Sequence, residues 1–242
     1  CKEVCDPKFQ YDSSNCTGDK VLTGNSCGGK YEKCIEPLQY LYSDRTLSAE
    51  IIPGKSVIGI AVDPENRLAV AIDYIMTTGW GGYGIDIPTL ENTPSSGAGI
   101  YVRGERDSYL IRDGKANTAK ILAYGRSNGI SYPAAEAAYN YQPGSCSSSS
   151  WCGRGNWYLP SNWQVFPYFD NRATIHLMLK AINKMPDDWW YTRNDFYTVT
   201  SNEINAKESG FIYINTGGMA HGGKNLTEPD NLQTLVLPYI TY

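Results

Sequence analysis

Seven cysteines are the residues of this chain whose spacing speaks most directly to chemistry. Five fall within the first 34 residues: Cys1, Cys5, Cys16, Cys27 and Cys34. The other two, Cys146 and Cys152, bracket a short Ser-rich stretch. A structural metal site wants tight pairs such as C-x2-C with partners at matching spacing. Here the early intervals are 3, 10, 10 and 6 residues, no C-x2-C occurs, and His176 and His221 stand far away in sequence. Disulfides are the better reading, and they imply an oxidising compartment. No metal site and no cofactor are predicted. With Cys1 set aside, six cysteines suffice for three bridges. Cys146–Cys152 is the expected pair, while Cys5, Cys16, Cys27 and Cys34 allow three connectivities. Cys1 itself has three readings: a lipid-bearing cysteine of a processed lipoprotein, an intermolecular bridge, or a partner in residues before it.

Catalysis would need an activated nucleophile or a carboxylate pair in a cleft. No G-x-S-x-G occurs, and neither histidine has a recognisable partner motif. Asp63, Asp73, Asp86, Asp187, Asp188 and Asp195 are scattered, and a glycosidase pair among them is the weaker reading. Gly79-Trp80-Gly81-Gly82-Tyr83-Gly84 lacks the Lys-Ser/Thr ending and the helix start of a phosphate loop. It reads as a Gly-rich loop whose aromatics fold onto the core. Glu228-Pro229-Asp230 and Asn194-Asp195 are fragments of a calcium-dependent sugar site in the wrong order, and the former reads as a turn. The chain is therefore predicted not to be an enzyme. Its densest recognition chemistry lies at Trp189–Tyr197, where Trp190, Tyr191, Arg193, Asn194, Asp195 and Tyr197 form a candidate ligand-binding set. Aromatic faces stack on sugar rings or anchor protein partners, and amides and acids add directional hydrogen bonds. The competing reading makes Trp189 and Trp190 core and boundary residues. The Gly217–Asn231 loop is the second candidate surface.

The composition bounds the partners. A net charge of −4 and a pI near 5.3 argue against nucleic acid, which favours a basic face. Only 19% of residues are charged while Tyr numbers 19, a balance common on recognition surfaces of extracellular proteins. No run approaches the ~20 apolar residues of a membrane span. No charged-then-apolar signal segment is present, so an exported chain is expected as a processed form or a fragment.

These groups must be positioned by two predicted units. Residues 1–37 form a small Cys-rich module, too poor in apolar residues for a core of its own and so held by crosslinks. Residues 38–242 form the main domain. Leu38–Tyr42, Ser56–Val62 and Leu68–Ile75 read as strands, the last two joined by a turn at Asp63–Asn66. Residues 85–116 read as loop with short strands at Ile100–Val102 and Tyr109–Ile111. Asn117 or Thr118 caps a helix through Arg126, ended by Asn128-Gly129. A second helix starts at Ser131-Tyr132-Pro133 and runs to about Tyr141, with Pro in its first turn. Trp157–Leu159 then runs as a strand into Pro160 and a capping box, Ser161 with Gln164, with Trp157 and Leu159 expected in the core. Pro167 is expected to interrupt the helix that follows. Asp170 or Asn171 caps a further helix through Met185, striped by Ile175, Met178, Leu179 and Ile182, with His176 an ordinary boundary residue. Trp189–Tyr191, Phe196–Thr200, Phe211–Ile214 and Leu235–Tyr239 are β-like, separated by polar turns that include Gly217–Lys224. Asn15-Cys16-Thr17 and Asn225-Leu226-Thr227 are sequon-like triplets.

Several segments, in order, resemble the Lcl C-terminal domain family. Trp157-Tyr158-Leu159-Pro160-Ser161 is similar to its "W-x-LPS/T" segment. Val199-Thr200-Ser201-Asn202-Glu203, followed by Gly210–Asn215, is similar to its "W-S-S-S/T-E" and alternating strand. Gly223-Lys224 and Val236-Leu237-Pro238-Tyr239 resemble its closing Gly, Lys and "V-R-P-V". Upstream, Leu41–Asp44 and Val57–Ile60 resemble its "LYSD" and "PIGVV" segments. The likeness spans roughly residues 40–242, with Val199 and Leu237 departing from the family's Trp and Arg. It implies an α+β, C-type-lectin-like fold: a twisted, mostly antiparallel sheet, flanking helices and long loops. It also implies a secreted or surface-attached bacterial protein that binds a glycan or protein ligand. The alternative is a structural subunit of an extracellular fibre or pilus-like assembly, favoured by many tyrosines and low charge.

Overall fold

The computed structural model of the chain describes residues 21–23, 33–35, 38–77, 79–92, 100–101, 113–184, 197–213, 219–225 and 234–242. In chain order its strands are β1 (Val21–Thr23), β2 (Lys33–Ile35), β3 (Gln39–Tyr42), β4 (Leu47–Ser48), β5 (Val57–Asp63), β6 (Leu68–Ala71), β7 (Ile75–Thr77) and β8 (Ile100–Tyr101). Four helices follow: α1 (Gly114–Asn128), α2 (Pro133–Asn140), α3 (Asn162–Asp170) and α4 (Arg172–Ala181). The chain then returns to strands: β9 (Tyr197–Glu203), β10 (Glu208–Tyr213), β11 (Met219–Gly223), β12 (Thr234–Val236) and β13 (Tyr239–Thr241). The described residues are thus α+β, with two large, mostly antiparallel sheets. Of the expected Cys-rich module, β1 and β2 form an antiparallel pair with Cys34 in β2. Cys1, Cys5, Cys16 and Cys27 lie outside the described residues.

A five-stranded sheet runs β13-β6-β5-β3-β4 and a six-stranded sheet runs β7-β12-β9-β10-β11-β8. Within the latter, β12 lies parallel to β9. The five-stranded sheet is buried on both faces. Tyr40, Tyr42, Ile60, Val62 and Val70 face α3 and α4, whose Val165, Phe166, Phe169, Ile175 and Leu179 join the same cluster. Leu41, Ile58, Ala69, Ala71 and Ile240 face the other way, against Trp157 and the Cys146 and Cys152 side chains. Double-sided burial explains why this stretch reads as a continuous apolar run rather than an alternating one. A third cluster packs α1 and α2 residues, among them Ile121 and Ala135, on Val199, Phe211 and Val236 of the six-stranded sheet.

Two expected strands are each two strands in different sheets. The Leu68–Ile75 run divides into β6 and β7, and the Leu235–Tyr239 run into β12 and β13. The partners change together: β13 pairs with β6, and β12 pairs with β7. One antiparallel ribbon therefore crosses from sheet to sheet. Its two bends are fixed by Pro238, whose carbonyl accepts from Ala71 N at 2.8 Å, and by Asp73, which accepts from Tyr141 Oη at 3.0 Å and Lys184 Nζ at 2.7 Å. The expected polar turn at Gly217–Lys224 contains strand β11, because its backbone completes a ladder with β10 from Glu208↔Gly223 to Ile212↔Met219.

The helix starts also show tertiary structure overriding local preference. α1 begins at Gly114, four residues before the expected start, with Asp113 Oδ1 accepting from Ala116 N at 2.9 Å. Asn117 and Thr118 are buried and occupied elsewhere: Asn117 Nδ2 donates to Ser201 Oγ at 3.3 Å, and Thr118 Oγ1 accepts from Leu159 N at 3.0 Å. α2 begins at Pro133 as expected, and α1 ends on Gly129 at φ 66°. The capping box of α3 is present with both hydrogen bonds. Pro167 does not interrupt α3; the break comes at Asn171, whose Nδ2 donates back to Pro167 O at 2.9 Å. Pro167 removes one helical N–H, and burial of Phe166, Tyr168 and Phe169 offsets that loss. α4 stops at Ala181, short of the expected Met185, with Asn183 at φ 56°. Ile175 and Leu179 are its buried stripe, Met178 and Ile182 pack on it, and His176 is half-buried.

Trp157 and Leu159 are both buried. The neighbouring Tyr158 exchanges two backbone hydrogen bonds with Tyr239, at 3.0 and 2.9 Å. Beside it, Cys146 and Cys152 are bonded, with Cα atoms 5.7 Å apart. Trp157 Nε1 donates to Cys152 O at 2.8 Å, and the Tyr141 ring stands edge-on to Trp157 at 4.8 Å. Trp151 Nε1 donates to Ser43 O at 2.8 Å, so the disulfide-closed loop seals the outer face of the five-stranded sheet.

Candidate functional site

Strand β9 is buried at every position from Tyr197 to Glu203, although five of its seven residues are Thr, Ser, Asn or Glu. Buried polar groups need partners. Three positions supply them around Thr200, Ser201 and Asn202, while Thr198 Oγ1 has no partner among the described residues. Asn162, at the first turn of α3, donates its backbone N–H to Asn202 Oδ1 at 2.8 Å and accepts from Thr200 Oγ1. Pro160 O accepts from Ser201 N at 2.8 Å. From the Gly-rich loop, Trp80 Nε1 donates to Thr200 O at 2.8 Å.

The last residue of β9 carries the most consequential side chain. Glu203 meets Lys224, which follows β11, in direct contact through Oε1 and Nζ, and both side chains have 0% exposure. Lys224 Nζ also donates to Ile85 O at 2.6 Å and lies 4.9 Å from the centre of the Trp80 ring. Glu203 Oε2 accepts from Ile87 N at 3.1 Å. Burial is the largest influence on both groups, pushing Glu203 up and Lys224 down, while their mutual hydrogen bond acts the other way on each. The Tyr132 hydroxyl is buried with no hydrogen-bond partner among the described residues. Burial first, and the Glu203 charge second, push this phenol up to about 12.

This cluster ties three separate segments together. Trp80 N and Gly81 N donate to Lys224 O at 3.1 and 3.0 Å, Lys224 N donates to Lys207 O at 2.8 Å, and Gly84 N donates to Ala206 O at 2.8 Å. The Gly79–Gly84 loop, the β9–β10 turn and the segment after β11 are thereby held as one surface. Gly82 sits at φ 64° directly over the Tyr132 ring, where a Cβ would collide with it. Trp80 folds onto the core as expected and meets Tyr132 edge-on at 5.5 Å, but Tyr83 does not: it is 50% exposed.

The predicted ligand set fares differently. Trp190, Tyr191, Arg193, Asn194 and Asp195 lie outside the described residues, as does Glu228–Asp230. Tyr197 opens β9 at 1% exposure, its ring 4.7 Å from that of Phe211, which places it in the core. Of the weighed carboxylates, Asp63 bonds Asn66, Asp73 bonds Tyr141 and Lys184, and Asp86 bonds Asn92. No group of three or more His, Cys, Asp or Glu among the described residues is placed to hold a metal ion. His221 Nδ1 faces Glu208 at 3.2 Å. In the sequence, Glu203 and Lys224 stand in separate motifs, with no local sign that they pair.

No family model matches the chain, and no curated protein matches it. Its structure is similar to that of a fimbrial protein from Bacteroides ovatus ATCC 8483, with a TM-score of 0.54 and 14% identity. The likeness covers 84% of this chain and 48% of that one, so the chain spans about half the length of that protein. At this identity the likeness is one of fold.

Proposed function

We propose that the chain is a structural subunit of an extracellular, fimbria-like fibre and not an enzyme. The observation that carries this reading is the fold shared with a fimbrial protein over 84% of the chain. The Cys146–Cys152 bridge adds support, since such bonds persist in oxidising compartments outside the cytosol. Among the described residues, no helix is long and apolar enough to cross a membrane. Light scattering over a concentration series, with electron microscopy of the same samples, tests the proposal. Concentration-dependent oligomers that grow into filaments are expected. A monomer at every concentration, with no filaments, would remove the reading.

A further inference from the structure

Lys224 and Glu203 present the two reactants of an amide, in contact and sealed from water. We propose that Lys224 Nζ and Glu203 Cδ condense into an intramolecular isopeptide bond, with loss of one water, on folding. The inference does not depend on fibre assembly.

The surroundings suit the amide better than the ion pair. A buried pair must offset the desolvation of two ions. Burial biases each partner towards its neutral form, the form in which Nζ carries a free lone pair and Cδ belongs to a carboxylic acid. An amide has one N–H and one carbonyl to satisfy. Ile85 O, now 2.6 Å from Nζ, accepts the first, and Ile87 N, now 3.1 Å from Oε2, donates to the second. Both partners of the product are therefore already in place.

The same groups set up the reaction. The Nζ lone pair attacks Cδ of the protonated carboxyl, a C–N bond forms, and the carbonyl π pair moves onto Oε2. Ile87 N–H stands where that oxyanion develops. One proton passes from nitrogen to Oε1, the Cδ–Oε1 bond breaks, water departs and Oε2 reforms the carbonyl. The direct contact between Nζ and Oε1 is the path that proton takes. Ile85 O and the Trp80 ring fix the amine's position, and such fixing supplies effective concentrations on the order of 10⁵ M or more. With both side chains at 0% exposure, the reverse hydrolysis lacks water. The bond would join the end of β9 to the segment after β11 across 21 residues, a crosslink that reductants do not open.

Mass spectrometry of the full chain, denatured and with its disulfides reduced and alkylated, is the test. The folded wild-type protein is expected to be lighter than its sequence by one water. Trypsin is expected to spare Lys224 and to release a branched peptide joining residues 203 and 224. Chain recovered unfolded from inclusion bodies and kept in denaturant is expected at full mass, losing the water only on refolding. Lys224→Arg, which keeps the charge but not the nucleophilic amine, is expected at full mass. Full mass in the folded wild type, with cleavage after Lys224, overturns the proposal, and so does a mass deficit without the branched peptide. Because the decisive readout is on the wild-type chain, the test stands even where a variant fails to fold.

Discussion

Trp80 Nε1 lies 2.8 Å from the carbonyl oxygen of Thr200, a bond that crosses 120 residues of sequence and ties the Gly-rich loop to the middle of the six-stranded sheet. The indole is 2% exposed, so nothing replaces the bond if the donor is removed. Trp80→Phe keeps an aromatic ring against Tyr132 but leaves Thr200 O without this donor. A lost bond that strands a buried acceptor costs about 2 kcal/mol. Urea denaturation followed by circular dichroism is expected to show that loss with an unchanged m-value.

The capping box of α3 makes an unequal pair of mutants. Ser161 supplies one cap bond, accepting from Gln164 N at 3.3 Å. Gln164 Oε1 accepts from Ser161 N at 2.9 Å and, 50 residues upstream, from Gly114 N at 3.1 Å. It therefore caps α3 and closes the first turn of α1 together. Ser161→Ala is expected to lower stability by about 1 kcal/mol, as for an ordinary cap. Gln164→Ala strands two buried donors and is expected to exceed it, at about 3 kcal/mol. Equal losses in thermal or urea denaturation would show that Gln164 does not join the two helices.

Such joints mark the limit of what the sequence makes legible. The strands at 39–42 and 57–63, the Pro133 helix start, the Ser161 box and the Cys146–Cys152 pair are local, and each announces itself within a few residues. The division of Leu68–Ile75 and Leu235–Tyr239 is not local. An apolar run looks the same whether one sheet or two claim it, and only the joint bend at Asp73 and Pro238 decides. Asn117 and Thr118 mimic caps because their types favour caps, while their actual partners, Ser201 and Leu159, are distant. Glu203 and Lys224 stay hidden for the same reason: a lone charge in a sequence carries no sign of the partner that makes its burial tolerable.

The disulfide gives a third prediction. Cys146 and Cys152 are six positions apart, so the bond closes a short loop and removes little chain entropy from the unfolded state. The expected stabilisation is about 2 kcal/mol. Replacing both cysteines by serine is expected to lower the denaturation midpoint accordingly. Trp157 fluorescence is expected to change as well, because its Nε1 donates to Cys152 O. A double variant with unchanged stability and spectrum would mean that packing around Trp157 and Tyr141, not the bond, holds the loop.

Alkaline titration gives the fourth. Burial is the main cause that pushes the Tyr132 and Tyr158 phenols up to about 12, Tyr141 further, and Tyr239 well above its ordinary value. In the unfolded chain these groups ionise near the ordinary phenol value of 10.0. Their folded pKa values are raised, so above pH 10 the unfolded chain gives up protons that the folded chain keeps. The stability they contribute is then fully present below 10 and is lost as pH rises through about 12. Phenolate absorbance is expected to rise in two stages, exposed tyrosines first, then the buried set together with loss of near-ultraviolet circular dichroism. Tyr132→Phe keeps the ring against Trp80 and removes one of the titrating groups, so its stability is expected to fall less steeply between pH 10 and about 12. Buried tyrosines that ionise gradually, without unfolding, would show that water reaches them in the folded state.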